Sequence, residues 1–362
     1  MTVPKETIWE IDPHTRAKHE ILRRYLGAWF PILSRHHGRI LYIDGFSGPG
    51  RYKGGEPGSP LVALTTALRS QETLRGKLVF LFIDERPDRI AQLEQELAVL
   101  SLPSHFSAKA ETGVFHEKLD SILDDLEAQS LQIAPTFAFI DPFGFKGVPF
   151  NLVERLLKHP RTEVFITFMV DSINRFIEHP NDQVVQHIID AFGTSDVLGI
   201  ARGPGDRVET LRMLYQRQLE QVAKFVRYFE MRDAKNRTIY YLFFATNHLL
   251  GHVKMKEAFW KVDAERGFQF SDATNPDQLV MFEMDPSPTL AEILLQAYVS
   301  QTISVEQIQC FVEEQTPFLA THMRSAMKLL ESKGKITVKP LKRDGKKRRA
   351  GTFPEGVIII FP

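Results

Sequence analysis

Short apolar runs alternate with longer amphipathic segments through the first half of the chain. The apolar runs lie at 41–43, 78–83, 136–140 and 163–170. Segments with a helical period of apolar residues lie beside them, at 15–34, 61–69, 87–100 and 115–126. Strands buried on both faces read as continuous apolar runs, and their alternation with helices is typical of a parallel sheet covered by helices. The pattern predicts an α/β fold with a Rossmann-like, doubly wound sheet.

The second half of the chain departs from this alternation. From 171 to about 235 the sequence is mostly polar and helical, with an interruption at 199–205. We interpret this stretch as a helical insertion over the mouth of a site at the sheet edge. The runs at 239–246 and 267–271 are rich in aromatic and β-branched residues, and predict a closing antiparallel pair at the edge of the sheet.

A linker with two prolines, Asp285-Pro286-Ser287-Pro288, predicts the boundary between a domain at 1–285 and a second at 286–362. The second domain has three amphipathic segments followed by two strand-like runs. The helical segments are 289–299, 304–314 and 318–333, and the strand-like runs are 335–339 and 356–361. Three helices followed by a hairpin predict a winged helix.

Composition excludes several classes of protein. The 362 residues are 43% hydrophobic and 25% charged, which is ordinary for a soluble domain. Cys310 is the only cysteine, so neither an intramolecular disulfide nor a thiolate metal site can form. The charged segment 1–19 has no apolar core, and no stretch has the length needed to span a bilayer. We therefore expect a cytoplasmic protein without a membrane partner.

Charge is balanced overall, with 45 basic and 45 acidic side chains, but its distribution is uneven. Residues 333–349 contain nine Lys or Arg and a single acid, Asp344. In winged helices the third helix commonly enters the major groove while the wing contacts phosphates. The candidate nucleic-acid contacts are Arg324, Lys328, Lys342, Arg343, Lys346, Lys347, Arg348 and Arg349. A solvated hairpin tip or a protein docking unit is the alternative interpretation.

The first apolar run ends in Asp44 and a turn rich in small residues, Gly45 to Gly50. Glycines at such a turn let the backbone approach a ligand closely. The turn lacks both the Lys-Ser/Thr of a phosphate loop and the G-x-G-x-x-G spacing. It therefore favours a cofactor without a triphosphate or pyrophosphate, and S-adenosylmethionine is the natural candidate. A purely structural loop is the alternative.

Acids also follow the second and third apolar runs. Asp84 is placed to accept hydrogen bonds from ribose hydroxyls, or it begins the next helix. Asp141, followed by Pro142 and Phe143, is placed to accept hydrogens from an exocyclic amino group while an aromatic ring stacks on the base; a plain turn is the alternative. Ser59, at a predicted helix start, offers a donor for the methionine carboxylate or is only an N-cap.

These segments together resemble a known family. Lys18-His19, 41–52, Pro57 to Leu61, Asp84 and Asp141-Pro142-Phe143 are similar to the layout of the adenine-N6 methyltransferases of large-subunit ribosomal RNA, over roughly 14–145. Nearly the whole chain resembles the three-Cys-motif partner proteins, which combine a methyltransferase-like domain with a winged helix. That second resemblance implies a working complex with an iron-sulfur protein.

The first resemblance implies that His19, Phe46, Ser59 and Asp84 line an S-adenosylmethionine pocket and that Asp141 is the catalytic acceptor. Two departures stand out. The usual D-P-P-Y reads Asp141-Pro142-Phe143-Gly144 here, so the stacking tyrosine has no counterpart. Phe46 stands where those enzymes have a histidine, which removes a hydrogen bond to the cofactor.

The leading hypothesis is an S-adenosylmethionine-dependent methyltransferase acting on an exocyclic amino group of a nucleic-acid base, with DNA favoured over RNA by the winged helix. Its catalytic residues are Asp141, Pro142 and Phe143. Its cofactor-binding residues are His19, Asp44, Phe46, Gly48, Gly50, Ser59 and Asp84. The alternative is a non-methylating, nucleic-acid-targeting partner of an iron-sulfur enzyme. Metal-dependent hydrolysis at Asp44, Asp84 and Asp141 is a third possibility that the cofactor scheme makes unnecessary, and we predict no metal site.

Overall fold

The computed structural model describes residues 4–201, 203–273, 285–339 and 347–362. Contacts between Cα atoms divide the chain into two compact units. The first is drawn from Met1–Ala258 and Gln269–Pro276, and the second from Phe259–Phe268 and Asp277–Pro362. Within the described residues, no helix is both long enough and apolar enough to cross a membrane.

The first unit contains eight described strands in one sheet. In chain order they are β1 (Arg39–Asp44), β2 (Lys77–Asp84), β3 (Phe106–Thr112), β4 (Thr136–Ile140), β5 (Thr162–Phe168), β6 (Phe225–Arg232), β7 (Thr238–Thr246) and β8 (Gln269–Ser271). Their order across the sheet is β3-β2-β1-β4-β5-β7-β6-β8. β1 to β5 pair in parallel, whereas β7 runs antiparallel to both of its neighbours.

One helix joins each pair of consecutive strands from β1 to β5, and further helices precede and follow them. The helices are α1 (Pro13–His36), α2 (Ser59–Leu68), α3 (Pro87–Ala98), α4 (Phe115–Ala128), α5 (Phe150–Lys158), α6 (Val170–Phe176), α7 (Asp182–Phe192), α8 (Val197–Ile200), α9 (Arg207–Val222) and α10 (Leu249–Val262). Every residue of β4 and of β5 is buried, as expected for strands covered on both faces. The predicted α/β doubly wound architecture is therefore confirmed.

Two expectations about the second half of this unit are wrong. The helical insertion does not extend to 235, because α9 ends at Val222 and β6 begins at Phe225. Charged side chains hide the strand pattern of β6, since Glu230 is buried and bonded to Arg232 and Thr238. β8 pairs in parallel with β6 rather than antiparallel with β7. With three residues, β8 has too short a pattern to reveal its partner.

The second unit contains three helices and a small sheet among its described residues. The elements are α11 (Ser287–Ala297), β9 (Thr302–Ser304), α12 (Val305–Gln315), α13 (Ala320–Ser332), β10 (Thr337–Val338) and β11 (Ile358–Ile360), with sheet order β10-β11-β9. Ser304 caps α12 through a capping box with Gln307. The hydroxyl of Thr316 bonds the carbonyl of Val312 at the end of α12. The predicted winged helix is confirmed, with β9 as an added strand.

Candidate functional site

A cavity of about 330 Å³ opens at the carboxyl ends of β1 and β4. The strand order reverses between these two strands, and ligands of open α/β sheets bind at such a crevice. The first half of α1, the turn after β1, the segment after β4 and the end of β5 contribute its walls. Its lining includes Trp9, Lys18, His19, Phe46, Ser47, Gly48, Gly50, Tyr52, Ser59, Asp141, Phe143, Thr167 and Tyr240.

The turn after β1 has the backbone that its glycines predict. Gly48 and Gly50 have φ values of 61° and 83°, which other residues rarely adopt. A Cβ on Gly50 would lie 2.7 Å from Cδ1 of Leu93, so α3 packs directly on the turn. The Ser47 hydroxyl is buried and has no hydrogen-bond partner within the described part of the chain. It lines the cavity, where a bound ligand would satisfy it.

Asp141 lies directly after β4 and both of its carboxylate oxygens are engaged. Lys18 Nζ donates to Oδ2 at 2.5 Å, and Thr167 Oγ1 donates to Oδ1 at 2.5 Å. The Lys18 side chain is 6% exposed, and that of Asp141 is 22% exposed. Because a carboxylate oxygen has two lone pairs, each oxygen retains a site for one further hydrogen bond. Asp141 is thus held in one orientation and still faces the cavity.

Asp44 is a buried residue that stabilises the glycine turn after β1. Its side chain is fully buried and is absent from the cavity lining. Burial raises its pKa to about 7, against hydrogen bonds from Ser59 and from the amide of Phe46. Asp44 therefore connects the end of β1 to the start of α2 and orders the turn between them.

Asp84 is also buried and makes backbone contacts. Its carboxylate accepts from the amide of Gly48 at 3.0 Å and from the amide of Arg86 at 2.9 Å. The guanidinium of Arg89 lies 3.8 Å away. Asp84 borders a neighbouring cavity of about 440 Å³, together with Phe46 and other residues. The carboxylate thus ties the end of β2 to the glycine turn and borders an adjoining space.

His19 is buried against the turn. Its pKa is lowered to about 3, first by burial and then by the charge of Lys18. The ring hydrogen-bonds the backbone of Pro57 and lies 5.8 Å from the ring of Tyr52. His19 is therefore neutral at physiological pH, and its second ring nitrogen can accept a hydrogen bond.

One aromatic contact at this site has no signal in the sequence. Trp9 packs edge-on against Tyr52 at 5.6 Å and against Phe143 at 5.8 Å. The guanidinium of Arg89 lies between two of these rings, 4.7 Å from Trp9 and 5.3 Å from Phe143. The carbonyl of Pro4 accepts from Arg89 at 2.9 Å and from Arg86 at 3.0 Å, which holds the N-terminal segment against the start of α3.

Lys18, Ser47, Thr167 and Tyr240 also lie at the cavity without having been predicted as site residues. Two of the four had a sequence signal: Lys18 precedes His19 in the motif that carried the family resemblance, and Ser47 lies within the predicted glycine turn. Lys18 Nζ lies 5.3 Å from the ring centre of Tyr240, so a cation–π interaction also stabilises the ammonium.

In the second unit, the predicted nucleic-acid contacts divide into different groups. Arg324 and Lys328 are exposed on α13, and Lys347 and Arg349 are exposed after it. The Arg348 side chain is 7% exposed and pairs with Glu331. It therefore stabilises the domain and is not available to contact a phosphate. Three further predicted contacts, Lys342, Arg343 and Lys346, lie outside the described residues.

The three strand-end acids do not converge on one point. Asp44 and Asp84 direct their oxygens to backbone amides, whereas Asp141 faces Lys18 and Thr167. Across the described residues, no group of three or more His, Cys, Asp or Glu side chains is arranged to hold a metal ion.

Comparisons with known proteins found one family model and several solved structures. Residues 267–343 match the family model described as a GMT-like wHTH domain. No curated protein matches the chain. Among solved structures, Trm1 from Pyrococcus horikoshii in complex with S-adenosyl-L-methionine is similar at 12% identity and a TM-score of 0.36, over 72% of this chain and 62% of that one.

Two other similar structures are methyltransferases. An O-methyltransferase from Bacillus cereus in complex with SAH matches at 14% identity and a TM-score of 0.34, over 66% of this chain and 82% of that one. The SAH-bound methyltransferase PaMTH1 from Podospora anserina matches at 12% identity and a TM-score of 0.30, over 67% and 91%. The strand order defines the first unit as a Rossmann-like, doubly wound α/β fold. The second unit carries a winged helix-turn-helix domain.

Proposed function

We propose that this protein is an S-adenosylmethionine-dependent methyltransferase that acts on an exocyclic amino group of a nucleic-acid base. One observation carries the proposal: the Asp141 carboxylate at the end of β4 faces the same cavity as the glycine turn after β1. A carboxylate that can accept hydrogen bonds from an amino group thus lies beside a turn whose backbone a ligand can approach closely. Both lie where the strand order of the sheet reverses.

The residues present fit the cofactor. Gly48 and Gly50 keep side chains out of the turn, and the unpartnered hydroxyl of Ser47 provides a buried polar group that a ligand would satisfy. Phe46 offers an apolar surface for an adenosine, and Asp84 borders the same adjoining space, where a ribose hydroxyl has an acceptor. When bound, the cofactor supplies a methyl group on a sulfonium sulfur.

Asp141 is the residue suited to orient the acceptor nitrogen. Lys18 and Thr167 fix its carboxylate, and the remaining lone pairs accept hydrogens from a planar amino group. Those hydrogen bonds direct the nitrogen lone pair toward the cavity. An amino nitrogen that accepted a methyl group would have to lose one proton, and Asp141 is the adjacent base that would take it up. Phe143 contributes an aromatic surface for the base.

The winged helix supplies the nucleic-acid contact in this proposal. Arg324 and Lys328 share an exposed face of α13, and Lys347 and Arg349 add two exposed cations. We favour DNA over RNA, because a helix fits the major groove of B-form DNA but not the deep, narrow groove of A-form RNA.

A second candidate function rests on the hydrogen bonds that the Asp141 carboxylate already makes. Both of its oxygens are already bonded, and the tyrosine of the methyltransferase motif is replaced by Gly144. The chain would then retain the fold without methyl transfer and deliver a partner enzyme to nucleic acid. The family resemblance points to an iron-sulfur protein as that partner.

Two experiments separate these candidates. Calorimetry with S-adenosylmethionine should show binding, and Phe46→Asp should weaken it by placing a carboxylate against the adenosine surface. Incubation with a labelled methyl donor and separate pools of DNA and RNA should label DNA. Asp141→Asn should abolish labelling with little change in cofactor affinity. Failure of the wild-type chain to bind the cofactor would leave the non-methylating candidate, and labelling by Asp141→Asn would remove the proposed mechanism.

A further inference from the structure

A third cavity, of about 240 Å³, lies at the opposite end of α1 and β5 from the candidate site. The second half of α1, the start of β5 and the start of α10 form its walls. Along α1, Lys18 at the first site and Leu33 at this one are roughly 22 Å apart at 1.5 Å per residue. The function proposed above makes no use of this cavity.

The floor of the cavity is a buried acid with its hydrogen bonds satisfied. Glu163 accepts from the hydroxyl of Tyr25 at 2.6 Å and from the hydroxyl of Thr246 at 2.9 Å. Burial raises the pKa of Glu163. Gly251 keeps the space above it open, because a Cβ there would collide with Glu163 Oε1. A satisfied carboxyl group at this depth makes a poor site for a cation.

The wall and the rim differ in character. Apolar surface comes from Trp29, Ile32 and Leu33 on α1 and from Leu250 on α10. Leu250 is 51% exposed, an unusual position for a large apolar side chain. The rim is basic, and its members are His36, His37, Arg161, His248 and Lys254.

The basic groups lie close together. Arg161 Nη1 donates to His37 Nδ1 at 3.5 Å, which leaves Nε2 of that ring as the N–H donor. The pKa of His37 is lowered by burial, and then by the neighbouring charges of Arg161, His36 and His248. Lys254 differs, since it pairs with Glu257 at 2.8 Å. Within the described residues, Arg161 is exposed and forms no ion pair, so an anion at the mouth of the cavity would supply the counter-charge that the buried Glu163 does not.

We propose that this cavity binds a small amphipathic anion, with a flat apolar body against Trp29 and Leu33 and one carboxylate or sulfonate at Arg161 and His37. The cavity volume is below the usual range for drug-sized pockets, and it admits a ligand of about two fused rings. The charge at the mouth sets the sign of the ligand, and the apolar wall supplies the contact area. This inference does not depend on the function proposed above.

The test uses three probes with one aromatic body and different charges: 2-naphthoate, 2-naphthalenemethanol and 2-naphthylmethylamine. Calorimetry with the full chain should show naphthoate binding about tenfold more tightly than the alcohol, as one charge-assisted hydrogen bond implies. The amine should bind most weakly. Arg161→Gln should remove the advantage of naphthoate and leave alcohol binding unchanged. Arg69→Gln, an exposed arginine at the end of α2, is the matched control and should change neither.

Leu250→Gln checks the apolar wall, and because this side chain is half exposed the variant should fold. It should weaken naphthoate and the alcohol alike. Equal affinity for naphthoate and the alcohol, or no effect of Arg161→Gln, would overturn the proposal. Preferential binding of the amine would also overturn it, because Glu163 would then be the ligand-binding group.

Discussion

Lys18 and Asp141 are 123 positions apart in the sequence and form an ion pair with a distance of 2.5 Å between Nζ and Oδ2. The pair joins the first half of α1 to the segment after β4. Because the lysine side chain is only 6% exposed, the pair is shielded from solvent, and the loss of one partner leaves a charge uncompensated.

This relationship predicts a large coupling between the two residues. Asp141→Asn should lower the free energy of unfolding by about 3–5 kcal/mol, since it leaves the ammonium of Lys18 buried without a counter-charge. Adding Lys18→Met should restore most of that loss. Urea unfolding of the two single variants and the double variant measures the coupling. Simple addition of the two losses would show that the pair contributes nothing beyond its separate contacts.

Asp44 and His19 make opposite contributions to stability as pH changes. The folded-state pKa of Asp44 is raised to about 7, so its stabilising contribution is present at low pH and is lost as pH rises toward 7. The folded-state pKa of His19 is lowered to about 3 from its ordinary value of 6.5. The stabilising contribution of His19 is therefore present above pH 6.5 and is lost as pH falls from 6.5 to about 3. The two slopes oppose each other in mildly acidic solution.

Asp44→Asn should therefore become more stable relative to the wild type as pH rises from about 4 to about 7, by on the order of 2–4 kcal/mol. Urea unfolding across that range measures the difference. His19→Gln is the companion variant, and its difference should have the opposite slope. A difference that stays constant with pH would show that Asp44 titrates as an ordinary exposed carboxyl group.

The glycine turn offers a matched pair of substitutions. Gly50 and Gly55 have φ values of 83° and 87°, so alanine is strained at both. A Cβ at Gly50 would lie 2.7 Å from Leu93, whereas a Cβ at Gly55 would meet nothing within 4 Å. Gly55→Ala should cost about 1 kcal/mol, and Gly50→Ala about 2–4 kcal/mol. Thermal unfolding measures both, and equal losses would mean that α3 moves aside.

The exposed and buried cations of the second unit should behave differently. Lys347→Gln and Arg349→Gln should each weaken DNA binding and reduce the slope of log affinity against log salt by about 1. Arg348→Gln should instead lower thermal stability, because it breaks the pair with Glu331. Fluorescence anisotropy with a DNA duplex over a salt series measures the slopes. An unchanged slope for both exposed variants would place the contact elsewhere.

The sequence predicted the order and type of most elements in the first unit. β4 and β5 were visible because a strand buried on both faces must be apolar throughout. β6 was missed because Glu230 is buried with bonds to its neighbours, which breaks the expected pattern. β8 was too short for its pairing to be inferred.

The candidate site was only partly visible from the sequence. Gly48 and Gly50 marked the turn, because their backbone demands are local. Asp44, Asp84 and Asp141 were placed at one sheet edge, and the bonds of Asp44 to the amide of Phe46 and of Asp84 to the amide of Arg86 are local. Nothing local indicated that Asp84 would also accept from the amide of Gly48, because that bond depends on how neighbouring strands are paired.

By itself, the sequence determined which segments become strands and helices and where the glycine turn lies, because periodicity and backbone conformation are properties of neighbouring residues. Tertiary structure alone decided that Lys18 meets Asp141, that Trp9 packs against Phe143 and that Arg348 is committed to Glu331. Each of these contacts joins residues distant in the sequence. Their partners are selected by packing and by the need to satisfy buried charges, which no short stretch of sequence encodes.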